Sequence, residues 1–401
     1  MPSFVANVNQ QTDVLPKGVK ALMDNGLVTI PGRYIKPPSH RAVKHLIVPG
    51  VEIPVIDMAA LESDREKFVQ TLCKASSEWG IFQVINHGIP VATMQGMVHG
   101  VLELFDLPIE EKMKYYTEEV FVPVRYCTSM TPSQETHMEW HDHFQHYFSN
   151  REKEHPWPEK PACYKRLASS YVSSVRHLSQ TLMSALSEGL GLDSNCLAKS
   201  FGDSEMILRS NYYLPCPNPD LALGMNGHTD SGGLTILFED QVGGLQARKG
   251  DLWYDLKPIK NAFIVNIADQ LEILSNGKYK SIEHRVLVQP DQTRLSIVAF
   301  CNPSRDAVIG PLLELIDEQN PLLYKSTLYQ EHITNAETPH YHIEDLQASV
   351  KLCNHGSVMH GRGPSSRGPG SAKVKHVQEC IGGQVHGRGN PAANQQSWIV
   401  H

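Results

Sequence analysis

Residues 225–239 read MNGHTDSGGLTILFE: a short apolar run behind a Gly- and Ser-rich turn, with His228 and Asp230 just upstream of the turn. The texture repeats outward on both sides. Between Met206 and about Ile309 the runs ILRSNYY (207–213), LTILFE (234–239), FIVNIA (263–268), RVLVQ (285–289) and LSIVAF (295–300) alternate with clusters of Gly, Pro, Asn and Asp. Each run is long enough to cross one sheet and each cluster can turn the chain. This is the pattern of a sandwich or jelly roll.

Upstream the period changes. Tyr164 to Leu192 places Leu167, Val175, Leu178, Leu182, Leu186 and Leu190 at helical spacing, with Gly191 as the expected stop. Arg65 to Trp79 repeats the pattern with Phe68, Leu72, Ala75 and Trp79, between strand-like IPVID and IFQVINHG segments. Two shorter helices are expected around Met94 to Leu104 and Ile109 to Tyr116, the second opened by Pro108 and early carboxylates. Residues 1 to about 50 are polar and proline-punctuated and read as an irregular leader with one short helix. The fold class is therefore α+β: a double-stranded β-helix (jelly-roll) core with a helical N-terminal region packed against it. The expected divisions are 1–160 (mixed α/β), 161–200 (supporting helix), 201–335 (jelly roll) and 336–401. The last is a tail rich in Gly, Pro, Ser, Asn and Gln with HGRG at 360–363 and 386–389, a composition that cannot bury a core.

Composition narrows the function classes. A net charge of -7 argues against a nucleic-acid binder, which needs a basic surplus to meet phosphates. No apolar run is long enough to span a bilayer, and the first residues lack the apolar region of a signal peptide. The eight cysteines are scattered without a CxxC pair, which suits reduced thiols rather than disulfides or a zinc site. A cytoplasmic monomer acting on a small molecule is the expectation.

The chemistry sits in GHTD. On a strand, residues i and i+2 share a face, so His228 and Asp230 can reach one point. His284, in SIEHRV, supplies a second imidazole. Two histidines and a carboxylate on one face leave three positions open, as in non-haem Fe(II) oxygenases, whereas a structural zinc site wants four ligands. That trio alone also arises by chance. Ten residues on, Arg294-Leu295-Ser296 puts a guanidinium and a hydroxyl on one strand face, a clamp for a carboxylate. A metal with an open face beside such a clamp suits a ligand that chelates at one end and carries a carboxylate at the other. 2-Oxoglutarate is such a ligand.

At these residues the chain resembles the plant 2-oxoglutarate-dependent dioxygenases of specialised metabolism. The resemblance spans about Ile53 to Glu331 and includes IPVIDM, WGIFQVINHGIP, LFDLPIEEK, NYYLPCPNPDLALGMNGHTD, GGLQ, ILSNGKYKSIEHRV and RLSIVAFCNP. It implies His228, Asp230 and His284 as iron ligands, and Arg294, Ser296, Asn211 and Tyr213 as contacts to 2-oxoglutarate. It further implies O2 as oxidant, ascorbate as reductant, and succinate and CO2 as products. Phe300, Phe144 and Arg209 are weaker candidates for contact with an aromatic substrate. The stretch VRYCTSMTPSQETHMEWHDHFQHYF is most similar to feruloyl-CoA ortho-hydroxylases, so hydroxylation of a phenylpropanoid-type aromatic is the first expectation. Flavonoid oxidation is the second, and a non-catalytic jelly-roll binding module the third. A zinc hydrolase is disfavoured, since no general-base glutamate lies at helical spacing to the histidines.

EWHDHFQH (139–146) packs three histidines and two carboxylates together and could pass for a second metal site. Solvated side chains are the expectation there, and His87 in NHGIP reads as a structural turn residue. Beyond about Gln330 the resemblance stops. YQEHITN begins the family's C-terminal closing helix, but AETPHYHIEDLQ and the tail do not continue it, which implies a more open pocket.

Overall fold

The computed structural model describes residues 18–148 and 157–336. The expected polar tail and the start of the leader lie outside the described residues. Within the first half are strands β1 (Ile47–Val51), β2 (Val55–Asp57), β3 (Ile81–Ile85), β4 (Val124–Thr128) and β5 (Asp142–Phe148). Then follow β6 (Glu205–Tyr213), β7 (Met225–His228), β8 (Leu234–Glu239), β9 (Leu245–Lys249) and β10 (Leu252–Leu256). Next come β11 (Phe263–Ile267), β12 (His284–Val286) and β13 (Arg294–Asn302), with a separate two-stranded ribbon of Val308–Ile309 and Thr327–Leu328 after them. Strands β1 to β13 form a large sheet in the order β2-β3-β11-β8-β13-β6-β5-β4 and a smaller one in the order β1-β10-β9-β12-β7.

The alternation along the strands separates two cores. On β8 and β13, Leu237 and Val298 point between the sheets, where they meet Leu245, Ala247, Ile264 and Val286. Their neighbours Ile236 and Ile297 point the other way, into a core shared with the helices. The helix Tyr164–Gly189 covers that outer face with Tyr171, Val175, Leu178, Leu182 and Leu186, all buried. Full burial of each such side chain is worth about 1.5–3 kcal/mol. Leu182→Ala would leave a cavity costing about 2–5 kcal/mol. The helix Arg65–Glu78 is capped by Asp64, whose side chain accepts from Lys67 N at 3.1 Å. It ends at Gly80, where φ is +68° and a Cβ would stand 2.2 Å from Lys280 O, so only glycine lets β3 start so close to that loop.

The expected strands in the 206–309 region are present, although RVLVQ is paired only as far as Val286. The leader contributes the short helix Val19–Asp24 and strand β1. The jelly roll is not confined to 201–335: β1 to β5, all before residue 150, complete both sheets. The helix begun by YQEHITN runs Tyr329–Ala336. The described cysteines are all free. Among the described residues, no helix is long and apolar enough to cross a membrane.

Candidate metal and co-substrate site

His228 and His284 are opposed directly across the antiparallel pair β7–β12, which places their rings 4.2 Å apart, centroid to centroid. Asp230 is not on the strand, as i, i+2 alternation had required; it lies in the turn after β7. That turn is pinned to the start of the helix Asp269–Leu274: Asp269 N donates to Asp230 O (2.9 Å) and Gln270 N to Gly232 O (2.8 Å). The result brings Asp230 Oδ1 to 3.6 Å from His228 Nε2 and 3.7 Å from His284 Nε2. Among the described residues this is the single group of three or more His, Cys, Asp or Glu side chains able to hold a metal ion, with ligand atoms within 4.8 Å of one another.

The surroundings select which atoms face the ion. His228 Nδ1 is 3.0 Å from Asn226 O and His284 Nδ1 is 3.1 Å from Ile282 O. Each Nδ1–H donates to a main-chain carbonyl, so each Nε2 keeps its lone pair for a metal. Asp230 Oδ2 accepts from Asn266 Nδ2 at 3.3 Å, and the Thr235 hydroxyl hydrogen bonds to the same carboxylate. Asp230 and His284 are buried and His228 is partly exposed, so the open side of the trio lies toward His228. Neutral imidazoles, one fixed carboxylate and no thiolate fit Fe(II).

The second cluster is on the inner face of the large sheet. β13 pairs Arg294 with Tyr213 and Ser296 with both Asn211 on β6 and Glu239 on β8. The Arg294 guanidinium lies over the Tyr213 ring at 5.0 Å, and Asn211 Nδ2 donates to Ser296 Oγ at 3.4 Å. All these side chains are buried, yet Arg294 Nη1 and Asn211 Oδ1 have no protein partner. Buried polar atoms without partners are costly, and a carboxylate with water or hydroxyl neighbours would satisfy both. The residues present therefore fit 2-oxoglutarate as well as iron. Glu239, which no sequence motif singled out, takes Arg294 Nε at 3.1 Å and also Nη2. Its signal in the sequence was an acid at an inward position of an otherwise apolar strand.

The weaker candidates divide. Arg209 stacks over the Phe300 ring at 5.5 Å and is held by Gln145 Oε1 through Nη2 (2.7 Å) and Nε (3.2 Å). Phe300 is paired with Thr235, the residue bonded to Asp230, so this platform borders the trio. Phe144 is a correction: it faces the helical side, with its ring against Tyr115 and Tyr164. β5 puts even-numbered residues on that outer face, and the expectation had not resolved its register.

The histidines of EWHDHFQH are buried rather than solvated. His141 Nδ1 donates to Gly224 O at 2.7 Å, and burial pushes its pKa down to about 3. His143 is driven well below the usual range by burial, with Arg125 and Arg209 adding to the effect. Both are neutral at ordinary pH. They join no metal-capable group among the described residues. His87 is a turn residue as read, with Nε2 2.9 Å from Asn261 O and Nδ1 accepting from Ile89 N.

Comparison with known proteins agrees with this geometry. Residues 204–303 match the 2OG-Fe(II) oxygenase superfamily, and residues 53–167 match the non-haem dioxygenase in morphine synthesis N-terminal family. Jasmonate-induced oxygenase 4 of Arabidopsis thaliana is 39% identical over 324 residues, covering 78% of this chain and 91% of that protein. Flavanone 3-dioxygenase 2 of Oryza sativa subsp. japonica is 37% identical, covering 76% and 89%. A bi-functional coumaroyl CoA and feruloyl CoA ortho-hydroxylase of Ipomoea batatas is 37% identical, covering 83% and 93%. The crystal structure of JOX2 in complex with 2OG, Fe and JA superposes with a TM-score of 0.75 at 34% identity, covering 84% of this chain and 98% of that one. The chain belongs to the 2OG-Fe(II) oxygenase superfamily, an enzyme family whose chemistry uses Fe(II), 2-oxoglutarate and O2.

Proposed function

We propose that this oxygenase hydroxylates a phenylpropanoid-type aromatic substrate. In this reading His228, Asp230 and His284 hold the iron, and Arg294, Ser296, Asn211 and Tyr213 hold 2-oxoglutarate. When bound, the iron and co-substrate supply the oxidative decarboxylation that consumes O2, releases succinate and CO2, and oxidises a C–H bond. The protein's part is positional. The carbonyls of Asn226 and Ile282 fix both imidazoles. Asn266 holds Oδ2 of Asp230 and Thr235 bonds to the same carboxylate, while Oδ1 faces the two imidazoles. Arg294 Nη1 would hold the distal carboxylate of the co-substrate, and the apolar wall of Leu237, Val298 and Val286 would keep water from the reacting atoms.

The observation that carries the substrate reading is the Phe300–Arg209 platform beside Thr235. A flat ring laid on Phe300 gains an edge or stacking contact of about 0.5–1.5 kcal/mol beyond its burial. On the same inner face, Arg125 spends Nε and Nη2 on the carbonyls of Thr117 and Met130 and keeps Nη1 unpaired. An acceptor oxygen, such as an acyl carbonyl or a phenol, suits that atom. The ortho-hydroxylase relative supports this choice, and the flavanone dioxygenase relative keeps flavonoid oxidation as the second reading.

The test is a panel of feruloyl-CoA, p-coumaroyl-CoA, naringenin and a dihydroflavonol, incubated with the protein, Fe(II), ascorbate and 2-oxoglutarate. Products are identified by mass spectrometry. A product 16 mass units heavier from an acyl-CoA, with one succinate per turnover, supports the proposal; turnover of the flavonoids alone selects the second reading. No succinate with any substrate would point to a binding module. We read the protein as a cytoplasmic monomer, which light scattering and cell fractionation check.

A further inference from the structure

The co-substrate clamp contains a second, opposite charge. Glu239 is buried across the ladder from Ser296 and grips Arg294 through Nε and Nη2. Glu239 Oε1 and Arg294 Nη1 are left without partners. One edge of the guanidinium is thus spent on an internal carboxylate, and the Nη1 amino group is left for the distal carboxylate of 2-oxoglutarate. An ion pair already formed attracts a second anion much less than a bare cation does, and two carboxylates on one buried guanidinium repel.

We propose that Glu239 is a positioning residue that sets 2-oxoglutarate affinity. It aims the Arg294 guanidinium and offsets its charge, so that the co-substrate binds most tightly when Glu239 takes up a proton. This rests on the assignment of Arg294 as the clamp. Burial raises the Glu239 pKa, against the pull of Arg294. Asp240 beside it and Asp255 from β10 on the facing sheet push in the same direction. The Tyr213 phenol under the guanidinium is itself pushed up to about 12, chiefly by burial, and stays neutral. An incoming carboxylate adds a further negative charge and raises Glu239 again, so binding and protonation reinforce each other.

The test compares wild type, Glu239→Gln and Arg294→Met. The amide of Glu239→Gln keeps an acceptor for Arg294 and loses the charge. Its KM for 2-oxoglutarate is expected to fall roughly tenfold at pH 8, the scale of one relieved like-charge contact, without a matching change in KM for the aromatic substrate. The ratio of wild-type to variant KM should shrink toward one as the pH is lowered, because wild-type Glu239, its carboxyl raised by burial, takes up a proton on the way down. Calorimetry on Fe(II)-loaded wild type under nitrogen, in two buffers of different ionisation enthalpy, should show proton uptake on 2-oxoglutarate binding. That measurement stands even where Glu239→Gln fails to fold. An unchanged or raised KM with a pH-independent ratio overturns the proposal, as does binding without proton uptake. Arg294→Met separates the two layers: if it leaves KM for 2-oxoglutarate unchanged, the clamp assignment fails. If it raises KM while Glu239→Gln does nothing, the clamp stands and the role of Glu239 falls.

Discussion

The two ends of the proposed site are held by different kinds of partner, and their sensitivities differ accordingly. At the metal end, the two histidines lean on the carbonyls of Asn226 and Ile282, and Asp230 rides on a turn pinned by the amides of Asp269 and Gln270. Main-chain partners come with the fold and cannot be mutated away singly. At the proposed co-substrate end, the side chains of Arg294, Glu239, Ser296, Asn211 and Tyr213 hold one another. Such a cluster can be retuned one residue at a time, and it carries buried charge that the metal end meets only through its ligands.

The largest expected effect lies at the metal end. Asp230→Ala removes the one charged ligand between two imidazoles. Succinate production should fall below detection and iron should be lost from the purified protein. Retained iron with uncoupled succinate release would mean that another group supplies the third ligand.

At the clamp, Arg294→Met should raise KM for 2-oxoglutarate roughly 100-fold, the cost of truncating one partner of a buried charge pair. It should also lower stability, because Glu239 is left as a buried, unpaired carboxylate; such losses run to about 3–5 kcal/mol. The loss has a definite sign with pH. A carboxylate whose folded pKa is raised favours the protonated folded state, so the variant's deficit against wild type is smallest at low pH and grows as pH rises through that pKa. Thermal melts from pH 5 to 8 read this directly. Adding Glu239→Gln should recover most of the stability and none of the affinity, separating folding from binding within one ion pair.

A milder effect is expected behind Asp230. Asn266→Ala removes the amide that holds Oδ2 at 3.3 Å. Loss of a partner of this type costs about 10- to 100-fold in metal affinity, read as an iron titration curve shifted to higher concentration with the fold intact by circular dichroism. An unshifted curve would show that Thr235 and the pinned turn suffice to fix the carboxylate.

The same contrast marks what the sequence could reveal. The jelly-roll class, the long helix and the trio His228, Asp230 and His284 were legible because they rest on periodicity and on residue types with few other uses. Arg294 and Ser296 were legible through strand alternation, which holds on β13. Alternation along one strand does not build the trio: His228 and His284 meet by register across β7 and β12, and Asp230 reaches them from a turn. Register between distant strands leaves no local trace in the sequence. For the same reason the burial of β5 leaves no local trace, and its histidines read as solvated although β4 and β6 enclose them. Glu239 and Asn266 were hidden too, since a single polar residue in an apolar run has a meaning only once its cross-strand neighbours are known.

The smallest effect sharpens the matter of faces. Phe144 and Phe300, both aromatic candidates for substrate contact by sequence, occupy opposite faces of one sheet. Phe144 packs against Tyr115 and Tyr164 in the outer core, while Phe300 carries Arg209 on the inner one. Phe144→Leu removes buried ring volume and should cost about 1–2 kcal/mol, lowering Tm by a few degrees with KM for the aromatic substrate unaltered. Phe300→Leu gives up an aromatic contact worth about 0.5–1.5 kcal/mol. Its KM for that substrate should rise about three- to tenfold while Tm barely moves, since the ring is only partly buried. Stability and affinity would then fall on different residues of one sheet, a split that alternation demands. If Phe144→Leu instead shifted KM, the outer core would have to act on the site through the sheet, and the inner face could no longer be treated as the substrate wall by itself.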